Sequence, residues 1–272
     1  MSKPKPAKGG FYDKRYSDEW RQLQDRVFGE VFDDYFGQSS LTTTADYDRA
    51  FGWLSAGPGK QVLDVACGGG APTLRLATTF GCSVTGIDSN ATAVGLAMRK
   101  ATESGLSHIA KFVLQDASAS LPFENGSFSA IVCIDALPHI ANHQRAFLEW
   151  HRVLRPAGRV VFTDLILTGP ISNEELSRRA ASGPITVAPA GYAERCLAAA
   201  GFELSRREDL TAALESSSQR HVEARSRHAA DLLNLEGDAT FLALNRYRGV
   251  IAQLARERRL SHFAFVSTKQ GQ

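Results

Sequence analysis

From residue 61 onward the apolar positions fall into short runs rich in branched residues, separated by stretches with helical spacing. The runs Gln61–Val65, Ser83–Ile87, Lys111–Gln115, Ala130–Ile134 and Arg159–Leu165 predict buried parallel strands. Between them, Thr73–Thr79, Ala91–Ser104 and His143–Leu154 read as helices, and in the last of these Phe147, His151 and Leu154 share a face. Repeated β-α-β units of this kind imply a parallel sheet with helices on both sides.

The flanking regions have a different rhythm. Residues 1–10 read as a flexible tail, and Asp18 to Trp53 is helical but interrupted at Gly37-Gln38-Ser39-Ser40. Helical spacing resumes over Leu41–Leu54 and ends at Gly57-Pro58-Gly59. Beyond Leu165, Ser172-Asn173-Glu174-Glu175 has the pattern of a capping box opening a helix. A loop over Gly183–Pro189, a helix over Ala193–Ala200 and a strand over Phe202–Glu208 follow. Ala212–Leu260 reads as strongly helical, with Phe241, Leu244, Tyr247, Ile251 and Leu254 forming one apolar stripe. Its many arginines are expected on a solvated face. His262–Ser267 closes the chain as a strand.

Composition narrows the function classes. The formal net charge of +2 gives no global field that would recruit nucleic acid or an anionic membrane. No apolar run is long enough to span a bilayer, and the basic start lacks the apolar stretch of a signal peptide. Cys67, Cys82, Cys133 and Cys196 are scattered, without metal-ligand spacing, which predicts reduced thiols, a cytoplasmic setting and no metal.

The candidate chemistry sits at strand ends. Val62-Leu63-Asp64-Val65 runs into Ala66-Cys67-Gly68-Gly69-Gly70, a loop where the backbone turns tightly and a ligand can approach. No Gly-Lys-Ser/Thr follows, so a phosphate-binding loop of that type is excluded, and the dinucleotide glycine spacing is degenerate. Asp64 would face a pyrophosphate unfavourably but suits the α-amino group of a zwitterionic methionine moiety. Asp88, about twenty residues on, can accept both ribose hydroxyls of an adenosine cofactor. Asp116 can accept from an adenine amino group, with Ala117 leaving room for the ring.

Taken together, VLDVACGGG, GID, QDAS, CIDALPH and LRPAG leading into VVFTD resemble the class I S-adenosylmethionine-dependent methyltransferases. Closer likeness is to the small-molecule branch that contains phosphoethanolamine and glycine/sarcosine N-methyltransferases. The resemblance implies an α/β fold: a Rossmann-like, doubly wound, mostly parallel seven-stranded sheet with N-terminal helices and a helical cap. It implies one domain over 11–272, with N-terminal helices and lid (11–58), cofactor-binding core (61–166), substrate cap (167–260) and last strand (262–268). S-adenosyl-L-methionine is the implied cofactor, a small molecule the partner, and monomer or homodimer the assembly. By position, Ala66, Gly68 and Gly70 would line the methionine moiety, and Ala66 replaces the family's usual first glycine. Asp88 with Ser89 would hold the ribose, Asp116 and Ala117 the adenine. Ile134 would lie beside the methionine carboxylate, and Gln38-Ser39-Ser40 resembles the lid. Asp135 and His139 match a pattern bordering the substrate, which implies His139 as a base and Asp135 as its or the substrate's orienting group.

The departures bear on the acceptor. Leu165, Ala180 and Ser182 stand where relatives that clamp a phosphate head group carry tyrosine and arginine, and Gly183-Pro184-Ile185-Thr186 suggests a differently shaped substrate loop. Phosphoethanolamine is therefore disfavoured, as is arsenite, for which no cysteine cluster is evident near the lid. The rival readings are a dinucleotide-dependent oxidoreductase and a non-catalytic cofactor-binding module.

Overall fold

The computed structural model describes residues 15–179 and 187–271. The expected tail over 1–10, the positions of Ala180 and Ser182, and the substrate loop from Gly183 to Thr186 lie outside these residues.

Two helices come first, α1 (Asp18–Val31) and α2 (Thr44–Trp53). Each starts at a hydroxyl cap: Ser17 Oγ accepts from Trp20 N and Thr43 Oγ1 accepts from Asp46 N. The sheet then begins with β1 (Gln61–Val65), α3 (Ala71–Phe80), β2 (Ser83–Asp88), α4 (Ala91–Glu103), β3 (Ala110–Leu114) and β4 (Phe128–Cys133). It continues through α5 (His143–Val153), β5 (Leu154–Leu167), α6 (Asn173–Arg179), the two-residue β6 (Ala188–Pro189), α7 (Tyr192–Ala199) and β7 (Phe202–Asp209). The chain ends with α8 (Thr211–Arg227), α9 (Ala229–Glu236), α10 (Asp238–Arg256) and β8 (Leu260–Lys269).

The strand order is β3-β2-β1-β4-β5-β8-β7, with β6 pairing to the end of β5. Neighbours from β3 to β5 run parallel, and β8 inserts antiparallel to both β5 and β7. The expected seven strands are the main path, and β6 is a small addition where a loop was predicted. Strand β5 starts earlier than the pattern implies, at Leu154, because Leu154 pairs with Phe128 before the register shift on β4. Strand β4 ends at Cys133, leaving Ile134 just beyond it.

One sheet face buries Phe147 and Trp150 of α5 against Phe162 and Phe265, whose rings stack 4.9 Å apart. The other buries Tyr47, Phe51 and Leu76 of α2 and α3 against Val62 and Val84. A separate apolar cluster joins Val27 and Val31 of α1 to Leu214 of α8 and Phe241, Ile251 and Leu254 of α10. Helix α1 therefore belongs to the cap. The stretch read as one helical region breaks at His228 and Gly237, the latter at φ +78, into three helices. Ser172 and Glu175 form the expected capping box, Ser172 N donating to Glu175 Oε2 (2.8 Å) and Glu175 N to Ser172 Oγ (3.2 Å). The four cysteines are buried free thiols.

Candidate active site

The strand order reverses between β1 and β4, and crevices at the carboxyl ends of strands flanking such a point are where open α/β sheets bind ligands. The glycine loop lies there. Ala66, Gly68 and Gly70 all have left-handed backbone, at φ +58, +54 and +79. A Cβ on Gly70 would come within 2.7 Å of Ala97 Cβ, so this glycine lets the loop press against α4. Gly68 N donates to Asp88 Oδ2 (2.9 Å) and Asn90 N to Asp88 Oδ1 (2.9 Å), which ties the loop to the end of β2. Burial pushes the Asp88 carboxyl up, opposed by the backbone donors of Asn90, Gly68 and Ser89.

A cavity of about 290 Å³ opens over this loop. Ser39, Ser40, Ala66, Gly68, Asp88, Ser89, Ile134, Asp135 and His139 are brought together on its walls. Gln38, Asp64, Gly70, Asp116 and Ala117 do not line it. Gln38 is fully buried, and its Oε1 accepts from Phe36 N (3.1 Å), so its side chain shapes the turn while its neighbours face the cavity. Asp64 is held beneath the loop by Thr73, whose hydroxyl donates to its Oδ2 (2.5 Å). Burial, offset in part by that bond, pushes its carboxyl up to about 7. One oxygen of Asp64 is thus taken up by α3 behind the loop. Asp116 caps its own turn, accepting from Ser118 N (2.8 Å) and Ser118 Oγ (2.7 Å), two residues past the end of β3.

Asp135 follows β4 at φ +52 and is more tightly held than a simple helix cap. Thr42 Oγ1 donates to its Oδ2 (2.8 Å), Thr163 Oγ1 donates to its Oδ1 (2.8 Å), and Asp135 N donates to Thr163 Oγ1 (2.8 Å). His262 Nε2 lies 2.9 Å from Oδ1, a close ion-pair contact away from the hydrogen-bond line. Burial alone would raise the Asp135 carboxyl, but the His262 charge and the two threonine hydroxyls hold it below the usual carboxylate range. Burial likewise opposes the charged form of His262, and the Asp135 charge outweighs it, raising the imidazole. His262, Thr42 and Thr163 are site residues that the sequence reading missed. His262 pairs across the sheet with Leu165, which shares a face with Thr163, and only the antiparallel β5–β8 register brings it there.

A second chamber of about 140 Å³ adjoins the first beneath the cap. Leu41, Leu165, Leu214, Leu244 and Ile251 form apolar walls, and Asp164, Tyr247 and Arg248 add polar groups. Ser40, Asp135 and His139 line both spaces. Arg225, expected on a solvated face, is instead buried beside the larger cavity. Its guanidinium donates to both oxygens of Glu236 (3.0 and 2.6 Å) and to Asn245 Oδ1 (2.6 Å), so the buried charge is paired.

Comparison with known proteins decides the family. Residues 63–162 match a family described as a methyltransferase domain. The chain is 30% identical over 220 residues to 27-O-demethylrifamycin SV methyltransferase of Amycolatopsis mediterranei, a match covering 78% of this chain and 79% of that one. The chain belongs to the S-adenosylmethionine-dependent methyltransferases. Among solved structures, the cyclopropane synthase MmaA2 from Mycobacterium tuberculosis superimposes with a TM-score of 0.81 at 20% identity, covering 97% of this chain and all of that one (100%). A Haemonchus contortus phosphoethanolamine N-methyltransferase, in complex with phosphomonomethylethanolamine and S-adenosylhomocysteine, gives 0.79 at 19% identity, covering 100% of this chain and 62% of that one. At these identities the likeness establishes the Rossmann-like fold. The cofactor of this methyltransferase is S-adenosylmethionine. Among the described residues no helix is long and apolar enough to cross a membrane.

Proposed function

We propose that this methyltransferase moves a methyl group from S-adenosylmethionine to a small-molecule acceptor seated in the chamber beneath the cap. The observation that carries this reading is the pair of adjoining spaces, one over the glycine loop and one under the cap, sharing Ser40, Asp135 and His139. Volumes of about 290 and 140 Å³ suit small ligands.

The loop fits an adenosine-bearing cofactor. Asp88 is a half-buried acceptor at the end of β2, and a Cβ on Gly68 would come within 3.1 Å of Tyr16 Oη, filling the cradle. Asp88 with Ser89 would hold the ribose, and Ala66 and Gly68 the methionine moiety beside Ile134. Gly70 and Asp64 would support the loop from behind, and Asp116 and Ala117 would flank the adenine edge. Gln38, Ser39 and Ser40 would close over the site. When bound, S-adenosylmethionine supplies an already activated sulfonium methyl, so the protein's main task is alignment, worth up to about 7–11 kcal/mol in well-oriented systems.

His139 lines both spaces and would take a proton from a hydroxyl or amine acceptor, a role that its position on the two walls supports. Asp135, fixed by Thr42, Thr163 and His262, would present a constant negative charge next to it. Screening for transfer of labelled methyl groups identifies an acceptor. On that acceptor His139→Ala is expected to lower turnover by roughly 10²–10⁴-fold, with affinity for S-adenosylhomocysteine retained. Unchanged turnover would remove His139 from the chemistry.

A further inference from the structure

On the cap side of the larger cavity, His221 of α8 is 4% exposed and its ring stacks on Phe28 of α1, centroids 4.8 Å apart. Among the described residues neither ring nitrogen has a hydrogen-bond partner. One turn earlier on α1, Gln24 is 8% exposed and its Nε2 is likewise unpartnered. Both residues line the cavity. Buried polar groups left unpaired are costly, and several on one cavity wall mark a place that a ligand completes.

The surrounding charge says which ligand. Burial, and after it the charges of Arg248, Arg225 and Arg15, push the His221 imidazole well below its ordinary value, so the ring is neutral with one N–H to donate. Arg225 is matched by Glu236, and the neighbouring Asp25 is engaged by Tyr35 Oη (2.7 Å). Carboxylates sit on the opposite wall, where Asp88 and Asp135 stand at the strand ends. The cavity is thus polarised around these groups, with His221, Gln24, Arg15 and Arg248 on the cap side and Asp88 and Asp135 on the sheet side.

We infer that His221 and Gln24, with Arg15 and Arg248, form a docking subsite for a carboxylate on an acceptor that reaches from the chamber beneath the cap, past Arg15 and Arg248 on the walls of both spaces, to the cap side of the larger cavity, leaving its nucleophilic end toward Asp135 and His139. Phe28 and Leu244, on the same wall, fit an apolar body between the two ends. This inference rests on the methyl-transfer reading above. The methionine part of the cofactor offers the same carboxylate chemistry, so the test separates the two sources.

The experiment uses the full chain saturated with S-adenosylhomocysteine, titrated calorimetrically with 3-phenylpropanoate and its neutral amide. The carboxylate is expected to bind about tenfold or more tightly than the amide. His221→Phe, which keeps the stacked ring, is expected to erase that preference while holding S-adenosylhomocysteine affinity within about twofold of the unsubstituted protein. Arg248→Gln reads the same loss if His221→Phe does not fold. Equal binding of acid and amide, or no binding of the acid at millimolar concentration, overturns the subsite. Loss of S-adenosylhomocysteine affinity in His221→Phe overturns it too, by assigning these groups to the cofactor's carboxylate. Failure of the unsubstituted protein to bind S-adenosylhomocysteine at all would instead count against the methyl-transfer reading.

Discussion

Ala66 stands at φ +58 in the glycine loop, a conformation that costs a residue with a Cβ roughly 1–2 kcal/mol. The strain is tolerated because Cys67 N donates to Ile87 O (3.0 Å) and Gly68 N to Asp88, fixing the loop on both sides. Ala66→Gly is therefore expected to stabilise the fold by about 0.5–1 kcal/mol in urea titrations, after the entropy cost of the added glycine. A lower midpoint would show that the Ala66 methyl makes packing contacts outweighing the strain. Asp88 and its loop were legible in the sequence because an acid at a strand end and consecutive glycines are local signals. The bond from Thr73 to Asp64, nine positions apart, was not legible, because a sequence names a carboxylate without saying which way its strand turns it.

Among elements, the cap helices depend on one internal pair. Arg225 of α8 and Glu236 of α9 have side chains 2% exposed and meet in bidentate fashion, with Asn245 of α10 completing the guanidinium's bonds. Glu236→Gln leaves a buried guanidinium uncompensated and is expected to cost about 3–5 kcal/mol, read as a lowered thermal midpoint. No change would mean that water replaces the carboxylate there.

A second link joins β4, β5 and β8 through Asp135 and His262, and its pH dependence follows from the two shifts. Asp135 is held below its ordinary 3.8, so its contribution is present above that pH and is lost as pH falls through the depressed folded-state value. His262 is raised above 6.5, so its contribution is present below 6.5 and is lost as pH rises through the raised value. His262→Asn should thus flatten the stability loss above pH 6.5, whereas the penalty from Asp64, which also grows as pH rises toward its raised value of about 7, is common to both proteins. Parallel urea profiles from pH 5 to 9 would contradict the linkage. The strands forming this link were readable one by one, but their pairing was not, since it depends on contacts about a hundred residues apart. The buried polar stripe of α8 did leave a trace: Ser217, His221 and Arg225 recur every four positions, a helical face turned inward.

At the scale of the whole molecule, the sheet supplies acids at its strand ends and the cap supplies apolar walls and cations over them. The alternation of strands and helices made the sheet legible, because each β-α-β unit is written in consecutive residues. The cap was legible only as helices. That α1 packs on α8 and not on the sheet follows from tertiary contacts, with Val27 and Val31 meeting Leu214 and Ile251. In the proposed function this assembly binds an adenosine cofactor of the sulfonium type through Asp88 and the glycine loop. Calorimetry with S-adenosylhomocysteine and with NAD, on the unsubstituted chain and on Asp88→Ala, tests it most directly. S-adenosylhomocysteine alone is expected to bind, about tenfold or more weakly to Asp88→Ala through loss of charged hydrogen bonds. Binding of NAD in its place, or S-adenosylhomocysteine affinity indifferent to Asp88, would contradict it.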